Sequence, residues 1–311
     1  MVLKGGVALE ETTRGTLPQP AIERAFTPSG AAPVRDFVRR LWRVRLAGVG
    51  LVIVGIVVLT ALFAPLLAPY DPTQKNTRNL LQAPTLRHPL GTDELGRDTL
   101  SRVIYGARVS LEVGIIAVGI SLVIGVLLGL VAGYTGGTTD AIIMRIMDGL
   151  LAFPALVLAL AITAMLGPSL NNVMLAIGIT GIPSFARLVR GQVLTTKRLE
   201  YVQAAQSVGA SDWRLMLRHI LPNIVAPIIV QASISVAAAI LAEAGLSFLG
   251  LGIQPPTASW GSMLNVAKGY LGRTAWLAIA PGTAIFITVL GLNFLGDAIR
   301  DVLDPRLRSS S

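Results

Sequence analysis

The 311-residue chain has no cysteine, two histidines, four lysines and only 14% charged residues. Without a thiol it builds no disulfide, no thiolate metal site and no cysteine nucleophile, and the redox compartment stays open. The lysines Lys4, Lys75, Lys197 and Lys268 are followed by Gly, Asn, Arg and Gly. A glycine-rich loop ending in Lys-Ser/Thr, which cradles phosphates, is therefore missing, and any ATP must be hydrolysed by another polypeptide. His88 and His219 both fall outside the apolar runs. That rules out a zinc site or a serine–histidine pair inside a membrane. The scarcity of charge, against about 25% in soluble domains, rules out an ordinary water-soluble fold.

What the chain has instead is apolar sequence, 53% of its residues, with a mean hydropathy of +0.67. A helix crossing about 30 Å of hydrocarbon needs about 20 mostly apolar residues, because its backbone polar groups must be satisfied within the segment. Six stretches meet that requirement: about 46–70, 113–135, 149–166, 173–190, 220–243 and 274–296. The expected fold is all-α, a polytopic membrane protein with six transmembrane helices in one domain, 41–311. Residues 1–40 mix Gly, Pro, Thr and charges without a period, and are expected to be a disordered cytoplasmic tail.

The formal net charge is +9. In a membrane protein this excess reads as topology and contact with the lipid bilayer, and no aromatic–basic interleaving points to nucleic acid. Arg35, Arg39, Arg40, Arg43 and Arg45 crowd before the first span and predict a cytoplasmic start. Alternation then puts both termini and 198–222 inside, and 70–108 and 251–273 outside. The first outside segment carries Lys75, Arg78, Arg87, Arg97, Arg102 and Arg108, against the positive-inside trend. The stretch Asp98–Leu111 holds two arginines, Arg102 and Arg108, and is expected to lie as an amphipathic helix along the outer surface.

The most informative polar segment runs from Glu200 through Gln203, Ala204, Ala205, Gly209, Ser211, Trp213, Leu217 and His219 to Leu221, Pro222 and Asn223. Good helix formers precede the break at Gly209, and Ser211 with Asp212 reads as the start of a second short helix. Trp213, Leu217 and Ile220 fall at i, i+4 and i+7, while Arg214 and Arg218 share another face. Such an element either docks in a groove of a partner or lies on the inner leaflet.

This segment resembles the EAA loop of permease subunits of bacterial ATP-binding-cassette (ABC) importers, matching at Ala204-Ala205, Gly209 and Leu221-Pro222. It departs at Gln203, where the family carries an acid; Glu200 stands three residues earlier. The ordered series His88-Pro-Leu-Gly91 to Asp98, Ser101-Arg102, Tyr105 to Arg108, Met144 to Asp148, Phe153-Pro154, Glu243 to Gly252, Pro255-Pro256, Trp260-Gly261 and Asp297 to Pro305 narrows the resemblance. It is similar to the second of two paired permeases of the dipeptide, oligopeptide and nickel branch. The resemblance implies a type I importer permease in the inner membrane that binds no cofactor itself. Its partners would be a second, homologous permease, two cytoplasmic ATPases holding ATP and Mg²⁺, and an extracytoplasmic solute-binding protein.

The same resemblance implies that residues 198–222 form the coupling element, and the outside placement and polarity of the segment from Gly91 to Arg108 predict that Gly91, Asp93, Gly96, Arg97 and Asp98 contact the binding protein. Cargo is expected to be di- or oligopeptide, with nickel or glutathione on the same scaffold as alternatives. A stand-alone transporter or channel is the reading from another class, and it leaves the coupling segment without a partner. Glu243, near the outer end of its span, reads either as part of the pathway mouth or as a capping or inter-helix hydrogen bond at the span's end. Asp148 reads either as an i, i+3 partner of Arg145 or as a contact to the ATPase. Asp148 and Asp297 do not make an intramembrane aspartyl protease, because Phe294 stands where Gly-x-Gly-Asp before Asp297 requires its first glycine. Gly114, Gly119, Gly125, Gly129 and Gly133 predict close helix packing in the second span.

Overall fold

The computed structural model describes residues 45–303. The expected tail and the basic residues Arg35 to Arg43 lie outside that range. The described residues are overwhelmingly helical, with a single isolated bridge pairing Thr92 with Asp98. In chain order the helices are α1 (Arg45–Leu62), the single turn α2 (Ala64–Leu67), α3 (Thr99–Thr135), α4 (Gly137–Leu151), α5 (Ala155–Leu166) and α6 (Leu170–Thr196). There follow α7 (Glu200–Ser207), α8 (Asp212–Phe248), α9 (Trp260–Ala267) and α10 (Trp276–Leu303).

Four of these, α3, α6, α8 and α10, are long and apolar enough to cross a membrane. The pair α4 and α5 passes the same test as a unit but is bent by 89°. The shorter apolar helix Leu46–Leu62 lies within α1.

Three sequence boundaries need correction. The expected outer amphipathic helix at 98–111 is instead the beginning of α3, a continuous helix of 37 residues. At 1.5 Å per residue it is about 55 Å long, well beyond the hydrocarbon thickness, so its polar first turns protrude without any break in the hydrogen-bond ladder. The segment at 149–166 is split: α4 already runs from Gly137, and α5 starts only after Pro154. Pro154 has no N–H and disfavours helical geometry at Phe153, so the chain turns there. The first span is shorter than 46–70, its helix ending at Leu62 before the Ala64–Leu67 turn.

The main packing partners are α3 and α6, with α8 against both and α1 and α10 closing the far side. Glycines set the α3–α6 approach. A Cβ on Gly129 would lie 2.5 Å from Ala186 O and 2.8 Å from Val189 Cβ, and Gly125 and Gly133 are equally tight against Phe185 and Val193. Small residues let helix backbones approach where lipid gives no hydrophobic drive to associate. Gly114 meets α8 instead, and Gly119 faces open space, so it does not share the role expected of it.

Candidate functional site

One polar end of the bundle is built around the C-terminal turn of α3. α7 docks there through buried Val202 and half-buried Ala205, in a cluster with Val126, Leu130, Val189, Val193, Leu215 and Ile220. Its end has a specific geometry. Ala210 N donates to Ala205 O at 3.1 Å and Gly209 N to Gln206 O at 3.0 Å, with Gly209 at φ +85°. These two bonds make the helix-terminating motif that requires a left-handed residue, the conformation glycine adopts without a Cβ clash. The spacing of Ala205 and Gly209 thus fixes a rigid turn.

The second short helix expected after Ser211 is not separate. Asp212–Arg214 passes through a π-helical stretch, Leu215–Ile220, directly into the long apolar helix, with Leu221 N donating to Met216 O. Ser211 occupies the N-cap position, but its side chain makes no capping bond. The wider π turn breaks the 3.6-residue register on which the apolar stripe was reckoned. Ile220 is fully buried, whereas Trp213 and Leu217 are 57% and 45% exposed. Tyr201 and Val208 are exposed nearby, so this end of the bundle presents apolar side chains to the outside.

Four side-chain bonds brace the segment. Tyr134 Oη donates to Asp212 Oδ1 at 2.7 Å, and Lys197 Nζ donates to Gly133 O at 2.8 Å, capping the free carbonyls at the end of α3. His219 O accepts from Asn223 Nδ2 at 2.7 Å and from Tyr201 Oη at 3.4 Å. Gln203 Nε2 bonds only the backbone, at Arg198 O. Glu200, Gln203, Ala204 and Pro222 are exposed, and Leu221 is half-buried. Arg190 forks onto Asp140, and Arg187 pairs with Asp148 at 2.6 Å. Asp148 therefore reaches across to α6 rather than to Arg145 on its own helix. No spacing rule flags these pairs, because 39 and 50 residues separate their members.

The opposite end, around the N-terminus of α3, is held by buried ions. Asp93 accepts from Arg97 Nε at 2.6 Å and from Leu95 N and Arg97 N at 2.9 Å each, and Arg102 Nε lies 3.4 Å away. Asp98 caps α3 through Ser101 N at 2.8 Å and lies 2.8 Å from His88 Nδ1. Burial, with the Asp93 charge second, raises the Glu94 carboxyl above its ordinary value; Arg97 bonds it at 2.9 Å. At Asp71 the hydrogen bond from the Thr73 hydroxyl keeps the carboxyl low.

Two of the arginines that opposed the positive-inside trend are therefore paired inside the protein. Gly91, Asp93, Gly96, Arg97 and Asp98, expected to touch a partner, are all buried in this subunit. Lys75, Arg78 and Arg87 form the exposed surface around them.

Glu243 is likewise enclosed. Ser247 Oγ donates to it at 2.7 Å, and Ser110 Oγ lies 3.5 Å away on α3. The short bond is thus within α8, one turn from its end, and the contact to α3 is at the limit of hydrogen-bonding distance.

Residues 125–309, more than half the chain, match the family described as binding-protein-dependent transport system inner membrane component. Residues 32–84 match the N-terminal TM domain of oligopeptide transport permease C. The chain is 45% identical over 281 residues to the dipeptide transport system permease protein DppC of Alkalihalophilus pseudofirmus, covering 90% of this chain and 92% of that protein. It is 46% identical over 286 residues to the di/tripeptide transport system permease protein DppC of Pseudomonas aeruginosa, covering 90% and 94%. The glutathione transport system permease protein GsiD of Pectobacterium atrosepticum is 46% identical over 278 residues, covering 89% and 92%.

Proposed function

The chain belongs to the family of binding-protein-dependent transport system inner membrane components, and from that membership we propose that it forms half of the membrane pathway of an ATP-driven peptide importer. The dipeptide, di/tripeptide and glutathione permeases it resembles support a short peptide as cargo. The other half of the pathway is a homologous permease, and a cytoplasmic ATPase sits beneath each. An extracytoplasmic solute-binding protein delivers cargo at the end where Lys75, Arg78 and Arg87 are exposed. The buried cluster from Gly91 to Asp98 keeps that end rigid. Six segments cross the membrane when the bent α4–α5 pair and α1 are counted with the four long helices, and both termini are cytoplasmic.

The observation that carries this reading is the braced segment from Glu200 to Pro222 with Trp213 and Leu217 exposed. An apolar patch at a polar end of a membrane protein is a contact site. Because the segment is continuous with α8 and clamped to α3, displacement of its tip by closing ATPases moves spans and not a loop. The pathway then shifts between two states, each favoured by a different ATPase arrangement.

Leu217→Glu tests it. In an importer reconstituted with its cognate partners, dipeptide uptake should fall at least about tenfold, the scale of a lost interface anchor. The unfolding midpoint of the chain should not move, since Leu217 is outside the core. Full uptake in this variant refutes the coupling role.

A further inference from the structure

A cavity of about 260 Å³ opens between α3, α5, α6 and α8, midway between the two polar ends. Its polar lining is Ser121, Thr180, Ser184, Gln231 and Ser235, set among alanines, Gly181 and the apolar Val118, Ile177, Phe185 and Ile234. None of the lining residues is ionisable. Gln231 Nε2 donates to Ser235 Oγ at 3.2 Å, its one side-chain bond among the described residues. A primary amide has two donor hydrogens and an acceptor oxygen, so most of its capacity points elsewhere. Ser184 is exposed and Gln231 half-buried, although both lie in helices apolar enough to span.

An amide and hydroxyls left partly unbonded are costly against lipid and comfortable against water or a polar solute. The outer face of α10 shows the contrast, carrying Ile279 at 62% and Phe286 at 65% exposure. Complete small-molecule pockets run about 300–1,000 Å³, so a concavity of about 260 Å³ on one subunit is the size of a half-site.

We propose that this cavity is this subunit's share of the cargo lane, and that Thr180, Ser184, Gln231 and Ser235 present an uncharged hydrogen-bonding surface to the backbone of a passing peptide. The inference rests on the peptide-importer reading and deepens it. Amide and hydroxyl groups complement peptide N–H and C=O whatever the side chains. The absence of ionisable groups leaves the lane indifferent to cargo charge, so the permease selects by size and peptide character.

The chain has no cysteine, so single thiols can be introduced without removing native ones. In the assembled importer, Ser184→Cys and Ser235→Cys should react with a membrane-impermeant charged thiosulfonate at least about tenfold faster than Phe286→Cys, on the exposed apolar face of α10. Saturating tripeptide cargo under turnover should slow the first two and leave the third unchanged. In parallel, Gln231→Glu should give the lane a charge preference, lowering uptake of an acidic dipeptide relative to a basic one by at least about tenfold.

Thiols at 184 and 235 as inert as the one at 286, in an importer that still takes up dipeptide, overturn the lane and leave the importer reading standing. Unaltered charge preference in a Gln231→Glu importer that still transports also overturns it. An unmodified assembly that hydrolyses ATP but takes up no peptide overturns the parent reading instead.

Discussion

Tyr134 Oη donates a 2.7 Å hydrogen bond to Asp212 Oδ1, tying the last turn of α3 to the first turn of α8 across 78 residues of sequence. Beside it Lys197 Nζ caps Gly133 O. Two ends that belong to different spans are thereby fastened at the same point where the exposed apolar tip protrudes.

Tyr134→Phe removes the hydroxyl and keeps the ring. The bond is exposed, and such bonds contribute about 0.5–1.5 kcal/mol, so the fold should tolerate the loss. Force transmission should not. ATP hydrolysed per peptide imported is expected to rise about two- to tenfold, the range that energy converts to. An unchanged ratio would show that the clamp has no mechanical role.

Gly209 offers a graded test of the turn. Gly209→Ala retains the N–H and imposes a left-handed residue with a Cβ, at a cost of about 1–2 kcal/mol. Gly209→Pro also loses the donor to Gln206 O and fixes φ near −65°, against +85° observed, so its effect should be larger. Amide exchange over 200–210 should accelerate in the order Gly, Ala, Pro, and coupling should decline in the same order. If the proline variant exchanges like the parent, the helix-ending motif is not what holds the segment.

At the other end, Asp93→Ala leaves Arg97 and Arg102 buried without their shared acceptor. Breaking a buried pair by removing one partner costs about 3–5 kcal/mol, which denaturant titration in detergent would detect. The pH response carries a second signature. Because burial and Asp93 both raise the Glu94 carboxyl, Glu94 holds its proton more tightly folded than unfolded. Its contribution is present below the unfolded pKa and is lost as pH rises through the folded one. Without the Asp93 charge that loss should shrink, whereas an identical pH slope in parent and variant would remove Asp93 as a cause.

How much of this was legible beforehand depended on whether the physics is local. Apolar runs announce membrane helices because backbone satisfaction in lipid is a property of the segment alone. The positions of α6, α8 and α10 follow from it to within several residues. Gly209 was readable as a break, since a left-handed turn restricts the residue that occupies it.

Tertiary structure alone decided the rest. Whether the polar stretches 99–112 and 212–220 end a helix or continue it cannot be read from hydropathy, because the backbone ladder runs through a change of side-chain polarity undisturbed. The π turn at Leu215–Ile220, which sends Ile220 inward and leaves Leu217 out, arises from packing against α3, α6 and α7. Partners such as Arg187 and Asp148, or Glu243 and Ser110, are chosen by which helices lie side by side, and distance along the chain carries no record of that choice. For the same reason Asp93, Arg97 and Arg102 meet only once the loop has folded over the start of α3.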